Sequence, residues 1–304
     1  MTCYRGRFAP SPTGPLHFGS LLAATGSYLD ARHQQGKWLL RIEDLDPPRE
    51  IAGASDSIIR TLEQLGMTWD GPISYQSQRS HLYEDALDLL RQQDCLYDCG
   101  CSRKEIADSA VQTEAGPVYP GTCRKGLAPG RSPRSVRVRV DPAEISVRDR
   151  LQAPLQQQLA SEVGDFIVRR FNKLFSYQLA VAVDDGAQQI NHVVRGADLL
   201  DSTPRQMYLQ RLLGLPTPAY LHLPVAVKTD QAKLSKQTFA QPVAADDRHS
   251  AVIDALRFLH QELPDSPHDA SRDELWQWAI DHWDVTALPA CRTLPAPVEY
   301  IDPS

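Results

Sequence analysis

The stretch RFAPSPTGPLHFGS, residues 7–20, joins the first predicted strand to the first predicted helix. It holds three prolines, two glycines and a histidine. Prolines at this density forbid a regular helix or a central strand, so the stretch predicts a stiff turn. The strand lies in YRGRFAPS and ends at Pro10. The helix is predicted at 20–36, with Ser20 as its N-cap and Gly36 as its C-terminal stop.

Strand and helix patterns alternate around this turn. KWLLRIED (37–44) predicts a buried strand and SDSIIRTLEQLGM (55–67) a second helix, an order typical of a parallel α/β unit. Later patterns predict a helix at 81–99, strands at 134–141, 164–170 and 176–185, a strand followed by a helix at 188–214, a strand at 219–227, and a helix at 273–283. We therefore expect an α/β core in residues 1–78 and 176–244, interrupted by an insertion at 79–175.

Composition restricts the class of protein. Hydrophobic residues make up 42% and charged residues 23% of the 304 residues, which favours a packed core over disorder. The chain has no run of 18 apolar residues and no apolar leader after Met1, so we expect no membrane span and a cytoplasmic protein. Nothing in the pattern requires a second copy, and a monomer is expected.

Charge is distributed unevenly along the chain. The segment 245–304 carries twelve acidic and four basic residues, a net charge of −8, and is predicted to be helical. The whole chain has a net charge of −6, so the remainder is slightly basic. The run at 123–139 contains arginines and lysines but no acidic residue, which is compatible with an RNA surface or with a solvated face.

Two short motifs indicate nucleotide chemistry. His17 and Gly19 stand just before a helix, whose first N–H groups and partial positive charge suit a phosphate. Lys233 and Lys236 flank Ser235 in KLSKQ, on a loop after the last predicted strand. Mobile lysines near a polyphosphate can stabilise charge on a leaving group. Each motif alone is weak, and only their pairing indicates a binding site.

The motifs HFGS and KLSKQ resemble the HIGH and KMSKS signatures of class I aminoacyl-tRNA synthetases, with Ser20 and Gln237 as the departures. The longer RFAPSPTGPLHFG resembles the glutamyl branch, as do the stretches at 39–49, 191–206 and 220–225. The resemblance implies a Rossmann-like class I aminoacyl-tRNA synthetase catalytic core that forms glutamyl-adenylate from ATP and L-glutamate, with Mg²⁺ accompanying the ATP.

The resemblance also implies roles for individual residues. His17, Gly19 and Lys236 would be catalytic. Nucleotide binding would use His17, Gly19, Ser20, Lys233, Ser235 and Lys236. The glutamate pocket would be formed by Arg7, Phe8, Ala9, Pro10, Ser11, Glu43, Tyr177 and Arg195. This assignment suits the chemistry, because arginines grip carboxylates and Glu43 can pair with an ammonium group.

The cysteines at 99, 101 and 123 predict a structural zinc site in the insertion, because three thiolates with a loop between them suit tetrahedral zinc. No histidine lies between His81 and His192 to supply a fourth ligand. Tyr119, Cys95 and Asp98 are all near enough in sequence. The resemblance to the glutamyl branch favours Tyr119, and metal-free thiols are the alternative.

The acceptor is inferred from the segment that comes after KLSKQ. A glutamyl-tRNA synthetase carries a large helical anticodon-binding domain there, whereas here only the acidic helical segment 245–304 is found. That architecture resembles the glutamyl-queuosine tRNA(Asp) synthetases, which implies transfer of glutamate to the queuosine base at the wobble position of tRNA(Asp). The alternatives are a shortened glutamyl-tRNA synthetase that charges the 3′ end of tRNA(Glu), a nucleotidylyltransferase, and a non-catalytic tRNA-binding paralogue.

Overall fold

The structure is a computed structural model that describes residues 3–109, 111–113, 116–142, 144–228 and 248–300. The strands are β1 (Arg5–Phe8), β2 (Lys37–Ile42), β3 (Ser74–Tyr75), β4 (Leu96–Cys99), β5 (Val111–Thr113), β6 (Gly116–Val118), β7 (Ser135–Val138), β8 (Glu144–Val147), β9 (Leu155–Gln158), β10 (Ile167–Arg169), β11 (His192–Gly196), β12 (Ala219–Leu223), β13 (Val225–Val227) and β14 (Thr293–Pro295). The helices are α1 (Phe18–His33), α2 (Ala54–Gln64), α3 (Ser80–Gln92), α4 (Arg103–Ser109), α5 (Leu159–Glu162), α6 (Tyr177–Ala187), α7 (Thr203–Leu212), α8 (Arg248–Phe258) and α9 (Arg272–Asp281). Within these ranges, no helix combines the length and the apolar character that crossing a bilayer requires.

Parallel strands form the centre of the molecule. β1 pairs in parallel with β2, which pairs in parallel with β3. On the other side of β1, the N–H of Asn191 donates to the carbonyl of Arg5 at 3.0 Å and brings β11 alongside, with β12 parallel to it. The chain therefore builds the sheet outward from β1 in one direction and later in the other. This confirms the predicted α/β class and places a topological switch beside β1.

Helix α1 begins two residues earlier than predicted, and the assignment of Ser20 as N-cap is wrong. His17 is the N-cap, in an extended conformation, and its Nδ1 accepts the N–H of Ser20 at 3.2 Å. The imidazole reaches this amide because it projects from the residue directly before the first turn. The helix ends at His33, ahead of Gly36.

Close packing holds α1 on the sheet. Leu21 and Leu29 are fully buried in the larger apolar core. A Cβ added to Gly26 would lie 2.5 Å from Cδ1 of Leu223 in β12, so a larger residue would require that leucine to move. The position of α1, and of the turn that precedes it, is thereby fixed against the sheet.

The segment 176–185 is helical, not the strand that the sequence predicts. Ser176 caps α6 by accepting the N–H of Leu179 at 3.3 Å. The residues from Leu179 to Val183 are all buried, so the segment has no solvent face and lacks the 3.6-residue pattern of an amphipathic helix. The short apolar run has the same sequence pattern as a buried strand, which is why the sequence predicted one.

Two other elements differ from their predicted extent. The helix predicted at 81–99 ends at Gln92, and its last part is the strand β4. The strand predicted at 219–227 divides at Pro224 into β12 and β13, since proline lacks the N–H that a central strand needs.

The predicted insertion contains its own antiparallel sheet, in the order β10-β7-β4. The alternating stretch at 134–141 becomes β7, as predicted, and pairs on both sides. A second apolar core joins this sheet to α3, α6 and α7, with Tyr83, Val138 and Leu179 fully buried. The insertion is therefore packed directly against helices that border the parallel strands.

The C-terminal helices pack on the larger core together with α1. Trp276 and Trp283 are buried there, whereas Trp278 is half-buried and stacks on His282 with ring centroids 3.9 Å apart. The segment also supplies β14, which pairs in parallel with β13. The C-terminal segment therefore contributes one strand of a two-stranded sheet as well as helices that cover the core.

Asp30 connects four distant parts of the chain. Its buried carboxylate accepts from the hydroxyl of Tyr4 at 2.6 Å, from both terminal nitrogens of Arg150 at 2.6 and 2.8 Å, and from the indole of Trp283 at 3.1 Å. Burial alone raises the pKa of Asp30, but the hydrogen bonds and charge of Arg150 outweigh burial and hold the pKa below its ordinary value. The ionised carboxylate therefore contributes to stability.

We predict that Asp30→Asn lowers the free energy of unfolding at pH 7 by about 2–4 kcal/mol, because Arg150 loses its anionic partner in a partly buried place. Since the folded pKa of Asp30 is depressed, this contribution exists above the unfolded value of about 4 and disappears as the pH falls below it. Denaturant unfolding of both proteins at pH 7 and pH 3 measures the effect. The exposed pair of Asp88 and Arg91 supplies the control, and Asp88→Asn should change stability by less than about 0.5 kcal/mol. Equal stability of Asp30→Asn and the wild type at pH 7 would contradict the assignment.

Candidate active site

A cleft of about 610 Å³ opens at the carboxyl ends of β1 and β11, where parallel α/β sheets characteristically bind ligands. Every predicted site residue of the parallel core that the structure describes lines it. These residues are Arg7, Phe8, Ala9, Pro10, Ser11, His17, Gly19, Ser20, Glu43, Tyr177 and Arg195. Lys233, Ser235 and Lys236 lie outside the described residues.

The proline-rich turn is tied to the end of β2. The N–H of Glu43 donates to the carbonyl of Pro10 at 2.9 Å, and the N–H of Ile51 donates to that of Pro12 at 3.0 Å. Gly14 adopts a φ of 139°, which other residues rarely adopt. The turn is therefore held between two fixed backbone contacts, and it positions Ser11 and His17 along one wall of the cleft.

A fully buried arginine supports the floor of the cleft. Nη1 of Arg41 lies 2.8 Å from Asp185 and Nη2 lies 3.1 Å from Glu43, while Asp184 lies 3.9 Å from Nε. Burial acts to lower the pKa of Arg41, but these three carboxylates outweigh it and raise the pKa above its ordinary value. The arginine remains charged and holds Glu43 at the cleft.

Arg7 is held by Asp185 in α6, which also pairs with Arg41. Nε of Arg7 lies 3.2 Å from Oδ1 of Asp185. Burial raises the pKa of Asp185, but Arg7 and Arg41 overcome this and hold the pKa below its ordinary value. Burial raises the pKa of Glu43 in spite of the charge of Arg41. A cation on the cleft side would therefore stabilise the ionised carboxylate of Glu43.

Arg195 is buried, and its side-chain partners among the described residues are neutral. Its Nη1 donates to the hydroxyl of Tyr177 at 3.3 Å, its Nη2 to Thr203 Oγ1 at 2.9 Å, and its Nε to His222 Nε2 at 3.1 Å. Across the parts of the chain that the structure describes, no carboxylate lies within ion-pair distance of this guanidinium. A buried cation without a counter-ion is costly, so the site calls for an anionic group from a ligand.

His222 supports Arg195 in the neutral form. Its Nδ1 donates to Asp149 at 2.6 Å, which leaves Nε2 as the acceptor for Arg195. Burial and the nearby guanidinium lower the pKa of His222, although Asp149 acts in the opposite direction. Asp149 therefore selects the tautomer that orients Arg195 without adding a second positive charge.

The helix start supplies the other end of the cleft. Besides accepting the N–H of Ser20, the imidazole of His17 lies 3.0 Å from the hydroxyl of Ser20 through Nε2. His17, Gly19 and Ser20 thus lie at one helix N-terminus, whose partial positive charge favours phosphate. The carboxylate-binding and phosphate-binding features share one cleft.

The predicted metal ligands come together in the insertion. The sulfur atoms of Cys99, Cys101 and Cys123 lie within 4.8 Å of one another. The hydroxyl oxygen of Tyr119 lies 3.4 Å from Cys99 Sγ and 3.6 Å from Cys101 Sγ. Four donor atoms at these separations fit a tetrahedral zinc ion, whose bonds to sulfur are about 2.3 Å long.

The acidities of the thiols differ within this cluster. Burial raises the pKa of Cys99, but its hydrogen bond with Tyr119 and the proximity of Arg137 more than compensate and bring the pKa to about 7. Burial and the neighbouring sulfurs raise the pKa of Cys101 to about 11. The thiol of Cys99 therefore ionises more readily than that of Cys101, which lies against the neighbouring sulfurs.

The sequence did not reveal the residues that hold the site residues in place. Arg41, Asp185, Asp149 and His222 have no cleft motif of their own. For Arg41 in WLLRI and His222 in YLHLP, the one local signal is a charged or polar side chain within an apolar run. Such a residue inside a buried strand needs partners, but the sequence does not identify them.

Comparisons with known proteins agree with this geometry. Residues 4–259 match the family described as tRNA synthetases class I (E and Q), catalytic domain. The chain is 56% identical over 288 residues to a glutamyl-Q tRNA(Asp) synthetase of Dechloromonas aromatica, covering 94% of this chain and 96% of that protein. The identity to the glutamyl-Q tRNA(Asp) synthetase of Pseudomonas aeruginosa is 47% over 292 residues, covering 96% of this chain and 97% of that protein.

A solved structure also has the same fold. The glutamate-tRNA synthetase of Elizabethkingia anophelis superimposes with a TM-score of 0.80 at 24% identity, covering 99% of this chain and 69% of that one. Together with the family match and the two relatives, this fold supports one conclusion. The chain belongs to the class I tRNA synthetases for E and Q, in the group of the glutamyl-Q tRNA(Asp) synthetases.

Proposed function

We propose that this protein activates L-glutamate with ATP and transfers it to the queuosine base at the wobble position of tRNA(Asp). The observation that carries the first half is the buried guanidinium of Arg195, which has no carboxylate partner among the described residues and faces the cleft with Arg7, Glu43 and Tyr177. The second half rests on relatives that are glutamyl-Q tRNA(Asp) synthetases by name.

The charges of the cleft complement glutamate. Arg7 and Arg195 suit its two carboxylates, Glu43 suits its ammonium group, and the hydroxyl of Tyr177 adds a polar contact. Because Arg7 is already compensated by Asp185, the anionic ligand is most needed at Arg195. This pocket gives no similar support to a generic nucleotidylyltransferase.

In the first reaction an oxygen of the glutamate α-carboxylate forms a bond to the α-phosphorus of ATP. The bond from that phosphorus to the oxygen that bridges to the β-phosphate breaks, and pyrophosphate leaves. The protein supplies no nucleophile, so its contribution is positioning and charge stabilisation. His17, Gly19 and Ser20 would hold the nucleotide, Lys233, Ser235 and Lys236 would contact its phosphates, and Mg²⁺ would accompany them.

In the second reaction a queuosine hydroxyl attacks the carbonyl carbon of glutamyl-adenylate. The carbonyl–phosphate bond breaks, AMP leaves, the hydroxyl proton goes to solvent, and an ester remains on the base. Labelled glutamate offered with separate tRNAs tests this choice. Label on queuosine-containing tRNA(Asp) alone supports it, whereas label on the 3′ end of tRNA(Glu) favours the shortened glutamyl-tRNA synthetase. Absence of any adenylate favours the binding protein.

The thiol cluster is proposed as a structural zinc site. Cys99, Cys101, Cys123 and Tyr119 would hold the ion, which would supply cross-links to a segment rich in glycine and proline. The aromatic ring of Tyr119 also lies 3.8 Å from the guanidinium carbon of Arg137, so the site borders the sheet of the insertion. No step of the reaction passes through it.

We predict that Arg195→Lys lowers kcat/KM for glutamate by about 100-fold or more, because an ammonium group cannot reproduce the three donors that Arg195 directs to the cleft and its support. Glutamate-dependent ATP–pyrophosphate exchange measures it, and KM for ATP should change little. Arg60→Lys, on the exposed side of α2, is the matched control. An unchanged KM for glutamate in Arg195→Lys would exclude Arg195 from the pocket.

A second prediction concerns Lys236. Lys236→Ala should reduce pyrophosphate exchange by about 100-fold, since removal of one transition-state charge contact typically costs roughly 3 kcal/mol. Circular dichroism should remain as in the wild type. Unchanged exchange would remove Lys236 from the mechanism.

A third prediction concerns the metal. Elemental analysis of the purified wild type should find zinc at one ion per chain, and Cys99→Ser should lose most of it because a tetrahedral site lacks one ligand. Cys291→Ser, which alters a thiol outside the cluster, should retain the wild-type content. A wild type that binds no zinc would contradict the proposal.

A further inference from the structure

A short segment of the insertion, residues 149–152, lies against the strand β12. The N–H of Arg150 donates to the carbonyl of Tyr220 at 2.9 Å. Nε2 of Gln152 donates to the carbonyl of His222 at 2.8 Å. These contacts place part of the insertion directly beside a strand that borders the cleft.

The two carboxylate oxygens of Asp149 have different partners. Oδ1 accepts three backbone N–H groups, from Leu151 at 3.0 Å, Gln152 at 2.9 Å and His222 at 3.2 Å. Oδ2 lies 2.6 Å from Nδ1 of the imidazole of His222. The side chains of Asp149 and His222 are both 0% exposed. Because a backbone N–H can only donate, the atom at the Oδ1 position must be an acceptor, and this fixes which atom faces the imidazole.

The tautomer of His222 follows from this arrangement. Burial raises the pKa of Asp149, but the hydrogen bonds from His222 and from the backbone outweigh burial and hold the pKa below its ordinary value. The ionised carboxylate accepts, so Nδ1 of His222 carries the proton and Nε2 presents a lone pair. That lone pair lies 3.1 Å from Nε of Arg195 and 3.2 Å from the hydroxyl of Thr203. Since Nε of an arginine always carries a hydrogen, only this neutral tautomer can accept it.

We infer that Asp149 and His222 are positioning residues for the glutamate pocket, in which Asp149 fixes the Nδ1–H tautomer of His222 and that tautomer holds the guanidinium of Arg195 in its binding orientation. The inference rests on the proposed function. Among the described residues that line the cleft, neither Asp149 nor His222 is found, so both act through Arg195. Amino-acid binding in the parallel core therefore depends on a carboxylate that the insertion supplies.

Asp149→Asn tests the tautomer with almost no change in shape. The three backbone N–H groups require the new amide oxygen at the Oδ1 position, so the amide NH2 group must face Nδ1 of His222. The imidazole then carries its proton on Nε2, which directs one N–H at the Nε–H of Arg195. We expect KM for glutamate in ATP–pyrophosphate exchange to rise about tenfold to 100-fold, as for a buried donor left without an acceptor. KM for ATP should stay within about twofold, which also reports that the variant is folded.

A double-mutant cycle separates positioning from a general effect on the fold. The side chain of His222→Gln can place an amide oxygen near the Nε2 position, and it has no tautomer for Asp149 to select. His222→Gln should therefore keep KM for glutamate closer to the wild-type value than Asp149→Asn does. Adding Asp149→Asn to His222→Gln should change KM by less than about twofold, because the two substitutions remove the same interaction.

Nuclear magnetic resonance of protein labelled with nitrogen-15 histidine reads the tautomer without reference to activity. The signals of His222 are those missing from His222→Gln. We expect the proton on Nδ1 in the wild type and on Nε2 in Asp149→Asn. Asp284→Asn is the matched control, because Asp284 also accepts the N–H of the residue two places ahead, Thr286 at 2.7 Å, but its other acceptor contact is the Thr286 hydroxyl and not a histidine. It should leave the tautomer and both KM values unchanged.

The outcomes distinguish this inference from the proposed function. Wild-type protein without glutamate-dependent exchange overturns the proposed function, and the inference with it. Wild-type exchange together with an unchanged tautomer or an unchanged KM for glutamate in Asp149→Asn overturns the inference alone. An equal cost of Asp149→Asn in the wild-type and His222→Gln backgrounds also overturns it, because Asp149 would then act on the fold and not through the imidazole.

Discussion

The guanidinium of Arg41 is the interaction on which the site depends. It lies fully buried between β2 and α6, where Asp184, Asp185 and Glu43 surround it. Removal of any one partner would leave a charge uncompensated in a place that water does not reach, which is far more costly than loss of a surface pair. The helix α6 is thereby locked to the parallel sheet, and Asp185 in turn holds Arg7.

This network divides the two arginines of the cleft into different roles. Arg7 is neutralised by the protein, so it presents its remaining nitrogens to a ligand in a fixed orientation. Among the described residues, the side chains that support Arg195 are the neutral groups of Tyr177, Thr203 and His222, so its charge is available to a ligand. The cleft therefore offers a ligand the fixed guanidinium of Arg7 and the uncompensated charge of Arg195. This combination favours an anionic substrate over water, because neither side chain has to move to bind it.

The insertion contacts the same helix, α6. The second apolar core joins its antiparallel sheet to α6. In β7 of that sheet, Arg137 lies over the ring of Tyr119 in the thiol cluster. A metal ion at the cysteines would therefore cross-link a segment that borders this sheet, while the parallel strands position the residues of the cleft.

Much of this protein could be predicted from local sequence. The proline-rich turn, the histidine before a helix, and the alternation of strand and helix each depend on neighbours in the chain, and local sterics and capping determine them. The thiol cluster could likewise be predicted, because only short loops separate Cys99 and Cys101 from Tyr119 and Cys123. Two predictions were wrong for different reasons. Ser20 is not the N-cap because the side chain of His17 accepts the Ser20 N–H, and 176–185 is not a strand because it forms a helix buried from Leu179 to Asp185.

Tertiary structure alone decided which charges are balanced. Arg41 meets Asp185 across 144 residues, and Asp149 meets His222 across 73. Such pairs leave no periodic signal, because their energy comes from shared burial and not from any local conformation. The sequence by itself therefore determined the class of fold and the chemistry available at the cleft. Only the folded chain determined that Arg195 lacks an acidic partner among the residues described, because that depends on every residue brought near it.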